Sequence, residues 1–138
     1  MDEEPGLSDQ YRMSSPWPVL IAFGLAIAEV GIVWPLVPLA VGGLLMFVGS
    51  VVGILREAGY VESPWPLLSG FAVALVAIGV GLFLYSGGAI AVNSVTESMR
   101  TPGSIGLRGL AIAVAGVLAL AGAVLGKYWT TANAEPRV

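Results

Sequence analysis

Long runs without charge, separated by short charged junctions, constrain this chain more than any other feature. Between Arg12 and Arg56 the only Asp, Glu, Lys or Arg is Glu29; between Glu62 and Glu97 there is none, and between Arg108 and Lys127 there is none. Of 138 residues, 57% are hydrophobic and 11% charged, with a mean hydropathy of +0.88. Soluble domains carry about 25% charged residues, so lipid is the solvent for much of this chain. The expected fold is an all-α integral membrane protein with four transmembrane helices, for which two degenerate helix hairpins are one organisation.

Helix length fixes the number of crossings. The stretch from Trp17 to Leu55 would run about 58 Å as one helix, roughly twice the hydrocarbon thickness. It is therefore expected to cross twice, at 17–33 and 38–55, with the turn at Trp34-Pro35-Leu36-Val37-Pro38, where two prolines remove backbone donors and restrict the residues before them. Ser63 to Thr96 would run about 51 Å, too long for one upright crossing and too short for two with a turn. One crossing at 65–85 is expected, then a joint at Gly87-Gly88. Ser86, Asn93 and Glu97, at helical spacing, place the next segment along the headgroups or on a tilted helix end. Thr101-Pro102-Gly103 is a turn before a last crossing at 107–126.

This membrane domain, 16–127, is flanked by an acidic tail, 1–15, and a short C-terminal tail, 128–138. The acidic start (Asp2, Glu3, Glu4, Asp9) lacks the basic region of a signal peptide, so the first helix is expected to be retained. Four crossings put both termini on one side of a cell membrane, with Arg12, Arg56, Lys127 and Arg137 there against Arg100 and Arg108 opposite. The positive-inside rule then makes the termini cytoplasmic. Tyr11, Trp17, Tyr60, Trp65, Tyr128 and Trp129 fall at one expected interface, and Trp34 and Tyr85 at the other; the four tryptophans are candidate interfacial anchors.

Several chemistries are excluded by residue type. The chain has no Cys and no His, which removes disulfides, Cys/His metal sites, thiol nucleophiles and Ser/His catalysis. Six basic against nine acidic residues, with no basic cluster, argue against nucleic acid. No G-x-x-x-x-G-K-[ST] pattern occurs among the many glycines, so nucleotide binding has no support. No catalytic, cofactor-binding or metal residue is assigned.

One motif occurs twice. Ser15-Pro16-Trp17-Pro18-Val19-Leu20 returns as Ser63-Pro64-Trp65-Pro66-Leu67-Leu68, 48 residues on, each copy with a Tyr just upstream. Ser can cap a helix, Pro is tolerated in a first turn, and Trp anchors that turn at the interface. Good helix-start chemistry reached twice and a duplicated helix hairpin both account for it. The Ser-Pro-Trp-Pro start of a Gly-punctuated helix resembles a helix start in subunit III of haem–copper terminal oxidases, over about twenty residues per copy. With the acidic tail, Glu29 and the Gly53-Ile54-Leu55-Arg56-Glu57-Ala58-Gly59-Tyr60 connection, the whole chain further resembles small membrane proteins of halophilic archaea associated with cytochrome oxidase. Five of the six basic residues being Arg accords with a halophilic source. The chain is much shorter than subunit III and lacks His, so no residue role carries over.

Glu29 is the candidate polar or proton site. A carboxylate at a membrane helix centre costs about 2.5–3.5 kcal/mol, and the cost falls toward the interface. It is either protonated or reaches outward to headgroups, or hydrogen-bonds another helix or subunit, or relays protons; no second titrating group appears in the other crossings. In the same helix Ala22, Ala26 and Glu29 form one stripe and Gly24, Ala28 and Gly31 another, nearly opposite. Two small faces let two neighbours approach closely. Gly49 and Gly53 in the second helix, and Ala111, Ala115, Gly122 and Gly126 in the fourth, are further candidate packing or subunit-interface positions.

What the resemblance implies is a non-catalytic accessory subunit of a respiratory complex, serving assembly, stability and lipid-facing packing. Haem and copper would sit in partner subunits and not in this chain, which is no enzyme by itself. Two alternatives stand beside it. One is a small proton-coupled multidrug-type transporter working as a dimer through Glu29. The other is a stand-alone small membrane protein.

Overall fold

The computed structural model describes residues 15–87, 89 and 91–133. The acidic tail, Tyr11, Arg12, Gly88 and Arg137 lie outside the described residues. Five helices follow one another: α1 (Trp17–Val33), α2 (Val37–Glu57), α3 (Pro64–Tyr85), α4 (Val92–Arg100) and α5 (Ile105–Ala132). By length and composition α2, α3 and α5 can cross a membrane. The apolar helix α1 has 17 residues, about 25 Å of rise.

Proline sets the helix starts and glycine the stops. Each of α1, α2 and α3 carries Pro in its first two positions, where no intrahelical donor is lost. Pro38 thus belongs to α2, which begins at Val37, one residue before its expected start. Gly59, Gly87 and Gly103 have φ of 86°, 89° and 77°, the left-handed conformation that closes a helix or makes a tight turn. The serines of the two Ser-Pro-Trp-Pro copies do not act alike. Ser15 Oγ accepts from the Trp17 N–H (3.3 Å) and donates to Glu57 (2.8 Å), tying the start of α1 to the end of α2. Ser63 occupies the N-cap of α3 but its side chain makes no capping bond. Capping falls instead to Ser104, which accepts from the Leu107 N–H at 3.0 Å.

Two antiparallel pairs result, α1 with α2 and α3 with α5. In the first pair, a Cβ added at Gly24 would lie 2.5 Å from the Phe47 nitrogen, one at Gly31 would lie 2.6 Å from Ala40 Cα, and one at Gly43 would lie 2.7 Å from Ala28 Cα. In the second, a Cβ at Gly79 would meet Gly109 O at 2.5 Å, and one at Gly116 would meet the Val76 nitrogen at 2.7 Å. Backbones approach this closely only where side chains are absent. The pairs join through α2 and α5, where Ala40, Val41, Ala111 and Ala115 are buried among Ile32, Val37, Leu44, Leu45 and Leu75. That shared core uses the first halves of α2 and α5, so the pairs are fastened at the end remote from Trp17 and Trp65.

Between α3 and α5 the helix breaks at Gly87, within the expected joint, so the alternative of a tilted continuation of α3 does not occur. Ser86 Oγ turns back onto the Phe83 carbonyl at 2.6 Å. Ser86 therefore shares no helical face with Asn93 and Glu97, which belong to the separate helix α4. Val92, Val95 and Met99 line one side of that helix by spacing, and α4 rests on α5. At the other end, the expected C-terminal tail is in part helical. α5 runs through Tyr128 and Trp129 to Ala132, with Thr130 and Thr131 hydroxyls on the Gly126 and Lys127 carbonyls.

Candidate functional site

The two faces of α1 have different fates. Gly24, Ala28 and Gly31 are buried, and all three lie against α2, where an added Cβ at either glycine or at the facing Gly43 would strike backbone. Ala22, Ala26 and Glu29 are exposed. Glu29 shares a shallow surface hollow with Val30, Val33 and Trp34. It lies four residues from the end of α1, about 6 Å along the axis. Among the described residues it makes no hydrogen bond.

The other small positions divide in the same way. Ala111 and Ala115 are in the core shared by the two pairs. Gly53 and Gly126 are packed, but each against a tryptophan ring instead of a helix backbone: an added Cβ at Gly53 would lie 2.8 Å from Trp17 Cε2, and Gly126 lies directly beneath Trp65. Gly49 and Gly122 are not packing positions within the chain, since an added Cβ would meet nothing within 4 Å. For Gly122 the reason is helical phase. The buried alanines Ala111, Ala115, Ala119 and Ala123 advance by four residues a step, and Gly122 falls about 100° from Ala123.

The tryptophans differ correspondingly. Trp34 and Trp129 are 66% and 70% exposed. Trp17 and Trp65 are half-buried, each closing its own helix pair at a glycine near the end of the second helix. Trp65 Nε1–H also donates to Thr130 Oγ1 at 3.2 Å. The repeat therefore has a tertiary role, ring over glycine, that residue types alone did not reveal.

Both repeat tryptophans line one cavity of about 540 Å³. Gly49, Val52, Gly53, Pro64 and Leu68 complete its walls, and Arg56 and Glu57 stand at its mouth. It lies between α2 and α3 at the end of the bundle opposite the shared core. Its volume is that of ordinary small-molecule sites, about 300–1,000 Å³. Arg56 makes no hydrogen bond or ion pair among the described residues, whereas Glu57 is engaged by Ser15. Sequence reasoning used Arg56 only as an orientation charge.

At the opposite end, Ser86, Gly87, Ser94, Glu97 and Ser98 surround a small polar hollow of about 180 Å³. Arg108, near the start of α5, has a buried Nε without a hydrogen-bond partner among the described residues. Among those residues no group of three or more His, Cys, Asp or Glu is placed to hold a metal ion.

Apolar helices packed by glycine in antiparallel pairs, three of them long enough to cross a bilayer, define an all-helical protein compatible with a multi-pass membrane location. The chain belongs to the family of unknown function DUF7541, which matches residues 1–129. No curated protein and no solved structure matches it.

Proposed function

We propose that this protein is a non-catalytic subunit of a membrane complex, crossing a cell membrane four times and docking through the outer face of α1. Glu29 carries the reading. An ionisable residue in an apolar helix normally faces a bundle interior or a water-filled cavity, and here it faces outward, flanked by Ala22 and Ala26. A partner chain brought against that small face would give the carboxylate a polar neighbour and remove it from lipid. At 17 residues α1 is at the short end of crossing lengths, about 17–25, and it lies antiparallel along the full-length α2. The partner class favoured by the Ser-Pro-Trp-Pro resemblance is the catalytic core of a haem–copper oxidase, with the haem and copper in that core and both termini cytoplasmic.

Purification of the tagged full-length protein in mild detergent, followed by a haem absorption spectrum and mass spectrometry of co-migrating chains, tests this. Stoichiometric haem with a large multi-helix partner is the expected result, lost when Ala26→Phe crowds the docking face. A colourless homodimer held through α1 would replace the reading with the transporter alternative, in which two Glu29 carboxylates face one another and Glu29→Gln abolishes proton-coupled uptake. A colourless monomer unaffected by either substitution would leave a stand-alone membrane protein.

A further inference from the structure

We infer that the cavity between the helix pairs is a binding site for one phospholipid, its phosphate on Arg56 and a hydrocarbon chain along the groove formed by Gly49, Val52 and Leu68. The inference rests on the cavity alone and does not depend on what docks against α1.

Polarity and depth point the same way. Trp17 and Trp65 stand in the first turns of α1 and α3, and Arg56 in the last turn of α2, the levels at which such residues meet headgroups. Gly49 lies seven residues before Arg56, about 10 Å toward the bilayer centre. The site thus has a cation at its mouth and an almost wholly apolar floor below it, a distribution that matches an anionic amphiphile. Gly49 leaves its wall bare: a Cβ there would meet nothing within 4 Å. An empty apolar gap forfeits dispersion contacts on every wall, and the only apolar matter that reaches it from the surrounding solvent is a lipid chain. Arg56 pairs well with phosphate oxygens through its planar fork of donors. Glu57 is engaged by Ser15, whereas Arg56 has no partner among the described residues and presents its donors to a phosphate.

Native mass spectrometry of the full chain, delipidated in neutral detergent and titrated with phosphatidylglycerol, tests the site. One lipid is expected to bind, at least tenfold more tightly than diacylglycerol of the same chains. Gly49→Leu, whose Cβ would meet nothing within 4 Å and whose side chain would occupy the groove, is expected to abolish that binding. Gly42→Leu, on the same helix at a position equally free of neighbours but outside the cavity, is expected to leave it unchanged and serves as the folding control. Arg56→Gln should remove the preference for phosphatidylglycerol over diacylglycerol. Equal binding by the Gly49→Leu protein, no preference for a phosphate head, saturation by inorganic phosphate without a chain, or occupation of the gap by a second copy of the protein would each overturn the proposal.

Discussion

Gly42 and Gly43 are neighbours in sequence and opposites in consequence. An added Cβ at Gly42 meets open space, and one at Gly43 would press into the Ala28 backbone. Gly43→Ala is therefore expected to destabilise the protein by about 1–3 kcal/mol through overpacking, whereas Gly42→Ala is expected to be neutral or to gain up to about 1 kcal/mol of helix propensity. Unfolding in mixed micelles, followed by circular dichroism, measures both. The contrast shows what residue types convey. The stripe of Gly24, Ala28 and Gly31 was legible because helical spacing places those residues together. That Gly49 and Gly122 stand free was not legible, because it depends on where a second helix runs. The pairing of Trp17 with Gly53 and of Trp65 with Gly126 was hidden for the same reason: anchoring and packing call for the same residue at the same depth.

Among the elements, α4 is the one whose existence the chain's charge pattern left open. The helices α1, α2 and α3 carry proline in their first turns, and left-handed glycines mark three of the turns, signals that operate within a few residues and so were readable in advance. The break at Gly87 separates Ser86 from the face carrying Asn93 and Glu97, and periodicity counted across a break misleads. Val92 and Met99 are 78% and 63% exposed, while Val95 enters an apolar hollow with Phe83 and Leu110. A helix of this pattern is expected to rest in the interfacial plane with its apolar side toward the acyl chains. Nitroxides placed singly along 92–100 in proteoliposomes are expected to show oxygen accessibility peaking at Val92 and Met99, and accessibility to a water-soluble nickel chelate peaking at Asn93 and Glu97. A flat profile would place α4 wholly in water.

For the molecule as a whole, the proposed four crossings would place the start of α1 and the end of α5 on one side. The chain contains no cysteine, so single-cysteine variants report without background. Ser15→Cys and Thr131→Cys are expected to react with a membrane-impermeant maleimide from the same side, and Ser94→Cys from the other, in sealed right-side-out and inverted vesicles. Labelling of the two end positions from opposite sides would mean that α1 lies along the surface and only α2, α3 and α5 cross.

The location of the shared core has one more consequence. A bundle knit together by Ala40, Val41, Ala111 and Ala115 at one end and holding a cavity at the other would yield to lateral pressure more readily in one leaflet than in its opposite. Such a difference would couple to membrane curvature: bending the bilayer so that the leaflet holding the cavity is stretched relieves crowding around Trp17 and Trp65, and bending it the other way drives the pairs together. Arg56 and Glu57, at the cavity end, are the charged side chains nearest the gap whose width such bending would change.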